Sequence, residues 1–234
     1  ELTFYKTQDG HLVKTKGGVS ADRIASDTNF QRTRENGSEF GSSATAGKVL
    51  RNAVRNLMMN ASDNRVTSRL TQVMTQIKNY DVASVRGERT VADGIADPVA
   101  LALLKDFDFN DKAILSGVLF APYIVNPATG EIAIPAFVPL NDIAYPGGAT
   151  HVSIKAAYAN VDFTNEISAI EYSPVTNLPI DGTNTPVTLT PAAVPAGTGT
   201  KFYLILLEFF QEVNGLQYSL KNGSYNVLNI VDAA

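Results

Sequence analysis

KFYLILLEFFQEVNGLQYSL, residues 201–220, is the stretch of the sequence that most strongly indicates β-structure. Its first half contains the longest strongly apolar run of the chain, residues 202–207, and its second half places Asn214-Gly215 between two strand-like segments. Both central positions of a primed two-residue turn require positive φ, which Asn-Gly adopts most readily. The stretch therefore predicts two antiparallel strands joined by a tight hairpin turn.

Further strand-like segments occupy most of the chain from about residue 112 onward. Short apolar runs are separated there by clusters of Pro, Gly, Asn and Asp, at a spacing typical of antiparallel sandwiches and barrels. The other runs are AILSGVLF (113–120), EIAIPAFVPL (131–140), THVSIKAAYANV (150–161), EISAIEYS (166–173), TPVTLTP (185–191) and YNVLNIV (225–231). The pattern predicts a β-sandwich, for which an immunoglobulin-like topology is one candidate.

The first 111 residues begin with a hairpin signal and then become helical. LTFYKTQDGHLVKTK (2–16) alternates apolar and polar residues around a Gln-Asp-Gly turn. Ser20 and Ser26 or Asp27 are suitable helix caps, with the second short helix predicted to end at Asn36-Gly37. Two longer helices and a short one starting at Asp97-Pro98 follow. Their predicted buried faces are Phe40, Ala44, Gly47, Leu50, Val54 and Leu57, and then Val66, Leu70, Val73, Ile77 and Tyr80, with Ser62 as cap of the second.

These patterns define an expected α+β fold. A hairpin and a helical portion are predicted for residues 1–111, followed by an antiparallel β-sandwich for residues 112–234. The boundary is soft, and the two portions could pack as one unit.

Several classes of function are disfavoured by composition. The chain has no cysteine, which excludes disulfides, thiolate catalysis and cysteine-ligated metal. No apolar run approaches the roughly 20 residues of a membrane-spanning helix. The first residues, ELTFYKTQDG, lack the basic start and apolar run of a secretory signal. We therefore expect a soluble protein without a membrane span, with a cytoplasmic location favoured.

Charge is distributed asymmetrically along the chain. Residues 1–90 contain fourteen Lys and Arg against nine Asp and Glu, a formal charge of +5, and include every arginine. Residues 91–234 contain five lysines against fourteen acids, a formal charge of −9. Such an asymmetry suits either a polyanion or attraction between unlike protein surfaces. Pairing within the chain or between subunits is favoured over nucleic acid, because the chain itself supplies both signs.

No motif identifies a reaction or a cofactor. The two histidines, His11 and His151, are not near a G-x-S-x-G nucleophile motif, and no phosphate-binding glycine motif is present. Residues 106–111, DFDFND, resemble the start of a calcium loop, but Asp111 replaces its glycine and Gly117 its closing glutamate. We therefore expect no cofactor and no tight calcium site. A carboxylate pair for hydrolysis stays open, because nothing selects two of the 23 acids.

Residues 29–51, NFQRTRENGSEFGSSATAGKVLR, combine charged side chains with many small ones. Ala44 and Gly47 place small residues on the predicted buried face of the helix, where larger side chains would be expected. This indicates that another segment of backbone approaches the helix closely there. Packing within the protein is the favoured explanation, and a contact between subunits or a ligand groove is the alternative. The charged residues are predicted to form a structural or interaction network: Arg32, Arg34, Glu35, Glu39, Lys48 and Arg51.

Three stretches of the chain resemble a family of uncharacterised bacterial proteins. They are RTRENGSEFG (32–41), AGKVLRNAV (46–54) and FFQEVNGLQYSLKNGSYN (209–226). The resemblance implies membership of a hypothetical-protein family and transfers no activity and no site residue.

The working hypothesis is a non-enzymatic structural or protein-interaction protein, including a subunit of a larger assembly. The alternative is a ligand-binding β-sandwich, most plausibly for carbohydrate, although the absence of tryptophan weakens it. Its candidate stacking residues are Tyr123, Tyr145, Tyr158, Tyr172 and Tyr218. A carboxylate-based hydrolase is the third hypothesis, so the sequence leans against an enzyme.

Overall fold

The computed structural model describes residues 2–15, 18–220 and 223–234. Within these residues the chain has a mixed α+β fold with antiparallel sheets, as predicted. The helices are α1 (Ala21–Ser26), α2 (Gln31–Ala53), α3 (Arg55–Met58), α4 (Val66–Ile77), α5 (Val91–Gly94), α6 (Pro98–Ala102), α7 (Leu115–Val118) and α8 (Pro139–Asp142), with 3-10 turns at Thr28–Phe30 and Lys78–Tyr80.

The strands are β1 (Leu2–Thr7), β2 (Gly10–Thr15), β3 (Phe107–Asp108), β4 (Ile124–Asn126), β5 (Glu131–Ile134), β6 (His151–Asp162), β7 (Ile167–Tyr172), β8 (Thr176–Pro179), β9 (Val187–Leu189), β10 (Thr200–Val213), β11 (Leu216–Ser219) and β12 (Val227–Ala233). They form three sheets. β1 and β2 form a two-stranded sheet, β4, β5 and β9 a three-stranded sheet, and the others a seven-stranded sheet.

The seven-stranded sheet is built around the long pair β10 and β6. Its main order is β3-β12-β10-β6-β7, with β11 paired to β10 and β8 paired to β6. β10 and β6 are antiparallel from the Thr200–Val161 pair to the Phe210–His151 pair. This long pair provides the surface on which the remaining layers pack.

Both faces of the central strands are buried. Leu204 of β10 faces a cluster that contains Leu50 of α2 and Leu70 of α4. Ile205, its neighbour, faces a second cluster that contains Ile132 of β5 and Leu189 of β9. The large sheet therefore lies between a helical layer and a layer that includes the three-stranded sheet. Burial on two sides explains why residues 202–207 are continuously apolar rather than alternating.

Hydrophobic residues from both sides of residue 111 share one core. The cluster on the helical face combines Leu50 and Leu70 with Phe202, Leu204 and Ile230. In the described structure the helices thus cover one face of the sheet.

The helix starts are partly as predicted. Ser20 caps α1 by accepting a hydrogen bond from the Arg23 N–H, and Asp27 caps the following 3-10 turn. Asp97 caps α6, with Pro98 in its first turn. Ser62 does not cap α4, because its hydroxyl donates to the Met58 carbonyl instead.

The predicted break at Asn36-Gly37 is wrong, because α2 continues from Gln31 to Ala53. A glycine inside a helix costs about 1 kcal/mol relative to alanine, which a packed helix of this length can offset. The predicted buried face is also wrong at its first position. Phe40 is 59% exposed, whereas the adjacent Glu39 is only 3% exposed.

Two strand-like runs are helical in part. Residues 113–120 contain α7, whose Leu115 N–H donates to the Asp108 carboxylate at 2.9 Å. In residues 131–140 only Glu131–Ile134 is a strand, and α8 begins at Pro139. Short apolar runs do not distinguish a buried strand from a buried helical turn.

The turn between β10 and β11 has the predicted geometry, with φ of 53° at Asn214 and 79° at Gly215. We expect Gly215→Val to destabilise the protein by more than about 0.5 kcal/mol, because a β-branched residue strongly disfavours positive φ. No atom lies within 4 Å of a Cβ at this position, so the effect would be conformational. Chemical denaturation measures it. Gly182→Val is the control, because Gly182 has equal space without positive φ; equal curves would contradict the prediction.

Gly47 of α2 packs against α4, where a Cβ would lie 3.7 Å from Leu70 and 3.8 Å from Met74. We expect Gly47→Leu to cost about 1–3 kcal/mol by overpacking this contact. Gly41→Leu is the matched control, because Gly41 lies in the same helix with open space around it and should gain helix propensity. Thermal melting measures both. A raised melting temperature for Gly47→Leu would show that the contact is loose.

Candidate interaction surface

The N-terminal hairpin, β1 and β2, is almost entirely exposed. Within the described residues it pairs with no further strand. The register places Leu2, Phe4 and Val13 on one face and Tyr5 and Leu12 on the other. Phe4 is 78% exposed, Leu2 59% and Val13 53%. Apolar side chains therefore face solvent on both sides of the hairpin.

This exposure is unusual for an element of a folded protein. Single exposed apolar residues are normal, but a contiguous group indicates an interaction site. An isolated two-stranded hairpin is also only marginally stable in water. The ion pair of Asp9 with Arg65, at 3.2 Å, connects the hairpin turn to the start of α4. Both side chains are exposed, so this pair contributes no more than about 1 kcal/mol.

A groove of about 820 Å³ runs between α2 and α4. Phe40 and Ala44 of α2 line one wall. Uncharged polar side chains of α4 line the other wall: Thr67, Ser68, Thr71, Gln72, Thr75 and Gln76. Gln8 of the hairpin turn also lines the groove, next to the Asp9 that pairs with Arg65. The hairpin and the groove are therefore adjacent on one side of the molecule.

The six charged residues predicted as one network belong to separate local arrangements. Arg32 pairs with Glu35 at 2.8 Å, and Arg86 approaches the same carboxylate at 3.5 Å. Arg34 donates instead to the backbone carbonyls of Ile24 and Asp27, at 2.7 and 2.9 Å.

The other three members lie further along α2. Lys48 is exposed, and Arg51 is half-buried with its Nη1 unpaired within the described structure. Burial lowers the pKa of Arg51. Glu39 is buried, and its carboxylate accepts from Lys78 Nζ and from the Gly87 N–H at 2.8 Å.

The pair of Glu39 and Lys78 holds three segments together: α2, the 3-10 turn after α4, and the loop that contains Gly87. The hydrogen bond from Lys78 lowers the pKa of Glu39, and the Gly87 N–H and the charge of Arg89 lower it further, against the opposing effect of burial. The carboxylate is therefore ionised in the folded protein at neutral pH. This explains why a glutamate occupies a buried helical position.

The candidate stacking tyrosines do not share one surface. Tyr158 is fully buried, with its ring centre 4.8 Å from that of Tyr203, so it presents no ring to solvent. Tyr123 and Tyr145 pack against the cluster on the face of the three-stranded sheet, and Tyr172 packs against the helical cluster. Tyr218 of β11 is exposed. The five rings thus form no common platform.

Residues 106–111 are used within the fold. Asp108 Oδ1 accepts from the Leu115 N–H and from Asn229 Nδ2, and burial raises the pKa of Asp108. Asn110 Nδ2 donates to the carbonyls of Gly223 and Asn226. Within the described residues no group of three or more His, Asp or Glu side chains could hold a metal ion.

The histidines are part of ordinary strand contacts. His151 Nδ1 lies 2.9 Å from the Thr150 hydroxyl, and its Nε2 lies 3.6 Å from Glu212 Oε2. The Thr150 oxygen also accepts from the Glu212 N–H at 2.7 Å, so the hydroxyl belongs to the strand network. His11 is exposed on β2.

The exposed hairpin was missed as a candidate site, although the sequence contains a signal for it. Side chains along a strand alternate between the two faces of a hairpin, so a hairpin that buries one face needs apolar residues only at every second position, the positions of one phase. Here Phe4 and Tyr5 are consecutive, as are Leu12 and Val13, so both phases are apolar. Alternation along each strand predicts the strands, and the consecutive apolar pairs are the signal that both faces carry apolar side chains.

No helix in the described parts of the chain is both long and apolar enough to cross a membrane. Comparisons with family models, curated proteins and solved structures found no match for this chain.

We expect Lys78→Met to destabilise the protein by about 3 kcal/mol at neutral pH, because it leaves the buried Glu39 carboxylate without its cation. Glu39 has a lowered pKa, so the contribution of the pair is present above pH 4.5 and is lost as the pH falls through the folded value. The difference between wild type and variant should therefore shrink in acid. Denaturation curves across this pH range measure it. The double variant Glu39→Gln/Lys78→Met should recover part of the loss; no recovery would contradict the ion-pair explanation.

Proposed function

We propose that the protein is a non-enzymatic structural subunit that associates with other copies of itself through its N-terminal hairpin. The observation that carries this proposal is the exposure of apolar side chains on the hairpin, with Phe4 at 78%. Burial of apolar surface is the main driving force of protein association. A large exposed ring at the centre of a small apolar face is typical of an interface anchor.

The charged residues support a protein partner rather than nucleic acid. Arg32 and Arg34 contact groups of the same chain, and Lys78 is buried with Glu39. An exposed basic stripe, as nucleic-acid binding requires, is not supplied by these residues. In this proposal, the three-stranded sheet packed over the seven-stranded sheet takes the place of the predicted β-sandwich. An immunoglobulin-like topology stays a prediction.

Carbohydrate binding and carboxylate hydrolysis receive no comparable support. The former would need aromatic rings on one face, and the candidate tyrosines are distributed over different surfaces. For the latter, Asp93 and Glu166 line one pocket, but the Asp93 carboxylate already accepts a hydrogen bond from the Thr90 hydroxyl at 2.7 Å. Asp108 is likewise engaged, with the Leu115 N–H and with Asn229.

We expect wild-type protein to show a mass above the 25.1 kDa monomer in light scattering across a concentration series. The double variant Phe4→Lys/Val13→Lys should shift the mass toward the monomer, because it places two charges on the apolar face. High salt should leave the wild-type association largely intact, since apolar contacts are not screened.

The matched control is Val82→Lys, which changes a valine that is 93% exposed on a loop. It should leave the mass unchanged. Circular dichroism and melting confirm that the core is intact in each variant. A wild-type chain that stays monomeric throughout the series would overturn the proposal, as would an equal effect of the control.

A further inference from the structure

We propose that the hairpin of one copy docks into the α2–α4 groove of a second copy and that the contact is reciprocal, which gives a two-fold symmetric dimer. This inference rests on the proposed function, because it names the acceptor for the hairpin. The occupant of the groove is therefore a second copy of this chain.

The two surfaces have complementary shapes. The hairpin projects Leu2, Phe4 and Val13 from one face. The groove is lined on the α4 side by uncharged polar side chains, both short ones such as Ser68 and Thr71 and the longer Gln72. Interface cores pack large anchors into such concavities at the density of protein interiors.

The adjacency of hairpin and groove determines the symmetry. Gln8 lines the groove and Asp9 pairs with Arg65 at the start of α4, so one side of each molecule carries both the projection and its acceptor. A patch with both parts is self-complementary. Such a patch can close as an isologous pair, in which each hairpin enters the groove of the other copy, whereas a head-to-tail contact would continue into larger assemblies.

The exposed apolar surface of the hairpin and the groove is a substantial part of the area that a stable dimer interface buries. With about 200 Å² for an aromatic side chain, covering the exposed parts of Phe4 and Phe40 in both copies removes roughly 550 Å². A stable interface buries about 1,200–2,000 Å² in total. The aromatic rings supply nearly half of the lower value, and Leu2, Val13 and the groove walls supply further area.

The charges allow the Phe4 face to enter the groove. Lys14 lies on the opposite face, with its Nζ 5.5 Å from the ring centre of Tyr5, and stays in solvent. Lys6 and His11 share the Phe4 face and are next to the turn. No charged side chain is among the described residues that line the groove. The groove itself therefore adds no charge that docking of Phe4 and Val13 would leave buried and unpaired.

The absence of cysteine makes a cross-linking test unambiguous. Two single variants, Thr15→Cys on the Phe4 face and Ser68→Cys in the groove, are mixed, with one chain carrying a mass tag. A short bismaleimide should then yield a product that contains one of each chain. The control replaces Ser68→Cys by Ile124→Cys, which presents an exposed thiol on β4, in the layer on the opposite face of the seven-stranded sheet. It should give little product.

A second variant tests the same contact without a cross-linker. Ser68→Trp fills the groove from an exposed position, so the fold should persist, and the dissociation constant of the dimer should rise about tenfold or more. The double variant Thr15→Cys/Ser68→Cys, cross-linked at high dilution, reports whether a hairpin closes onto its own groove.

The outcomes separate this inference from the proposed function. A mixed product together with weakened association of Ser68→Trp supports the groove as acceptor, and a mass that stops at twice 25.1 kDa supports the reciprocal dimer over a head-to-tail assembly. An oligomer that yields no mixed product would overturn the groove as acceptor and leave self-association through the hairpin standing. Closure within one chain of the dilute double variant would also overturn the inference. A monomer at every concentration would overturn both.

Discussion

The structure depends on the need to cover both faces of the β10–β6 pair. Alternate residues of β10, such as Leu204 and Ile205, belong to two separate hydrophobic clusters. A sheet that is apolar on both faces requires a layer on each side. The helices provide one layer, and elements including the three-stranded sheet contribute to the other. Because the chain between residues 21 and 102 supplies the helical layer, its burial pattern is set by the sheet rather than by helix propensity alone.

That constraint explains where polar groups are found in the interior. α2 must approach both the sheet and α4, and it does so with small residues and one buried carboxylate, Glu39. A buried charge persists only with a partner, and Lys78 is supplied from the end of the neighbouring helix. The ion pair of Glu39 and Lys78 therefore links α2 to the end of α4, two elements that already pack against the same face of the sheet.

Long elements with strong local patterns could be predicted from the sequence. β6, β10, the Asn214-Gly215 turn and α4 follow from apolar runs, turn chemistry and helical spacing. The exposure of Phe40 and the burial of Glu39 could not, because they depend on Lys78, which is 39 residues away. The groove likewise arises only when α2 and α4 meet. Predicting it would require the packing of the two helices, which local spacing does not contain.

The hairpin differs from the rest of the fold because, within the described residues, it neither pairs with the central sheet nor buries its side chains against it. Its turn and register are local, and apolar residues in both phases leave each face in need of a cover. A partner that binds the ordered hairpin would stabilise it by mass action, whereas both faces of the central sheet are already buried within the chain. The folding of the hairpin and the binding of the partner are then thermodynamically coupled. Under the proposed self-association, the order of the N-terminal hairpin would therefore depend on the protein concentration, whereas the central sheet is covered on both faces by layers of its own chain.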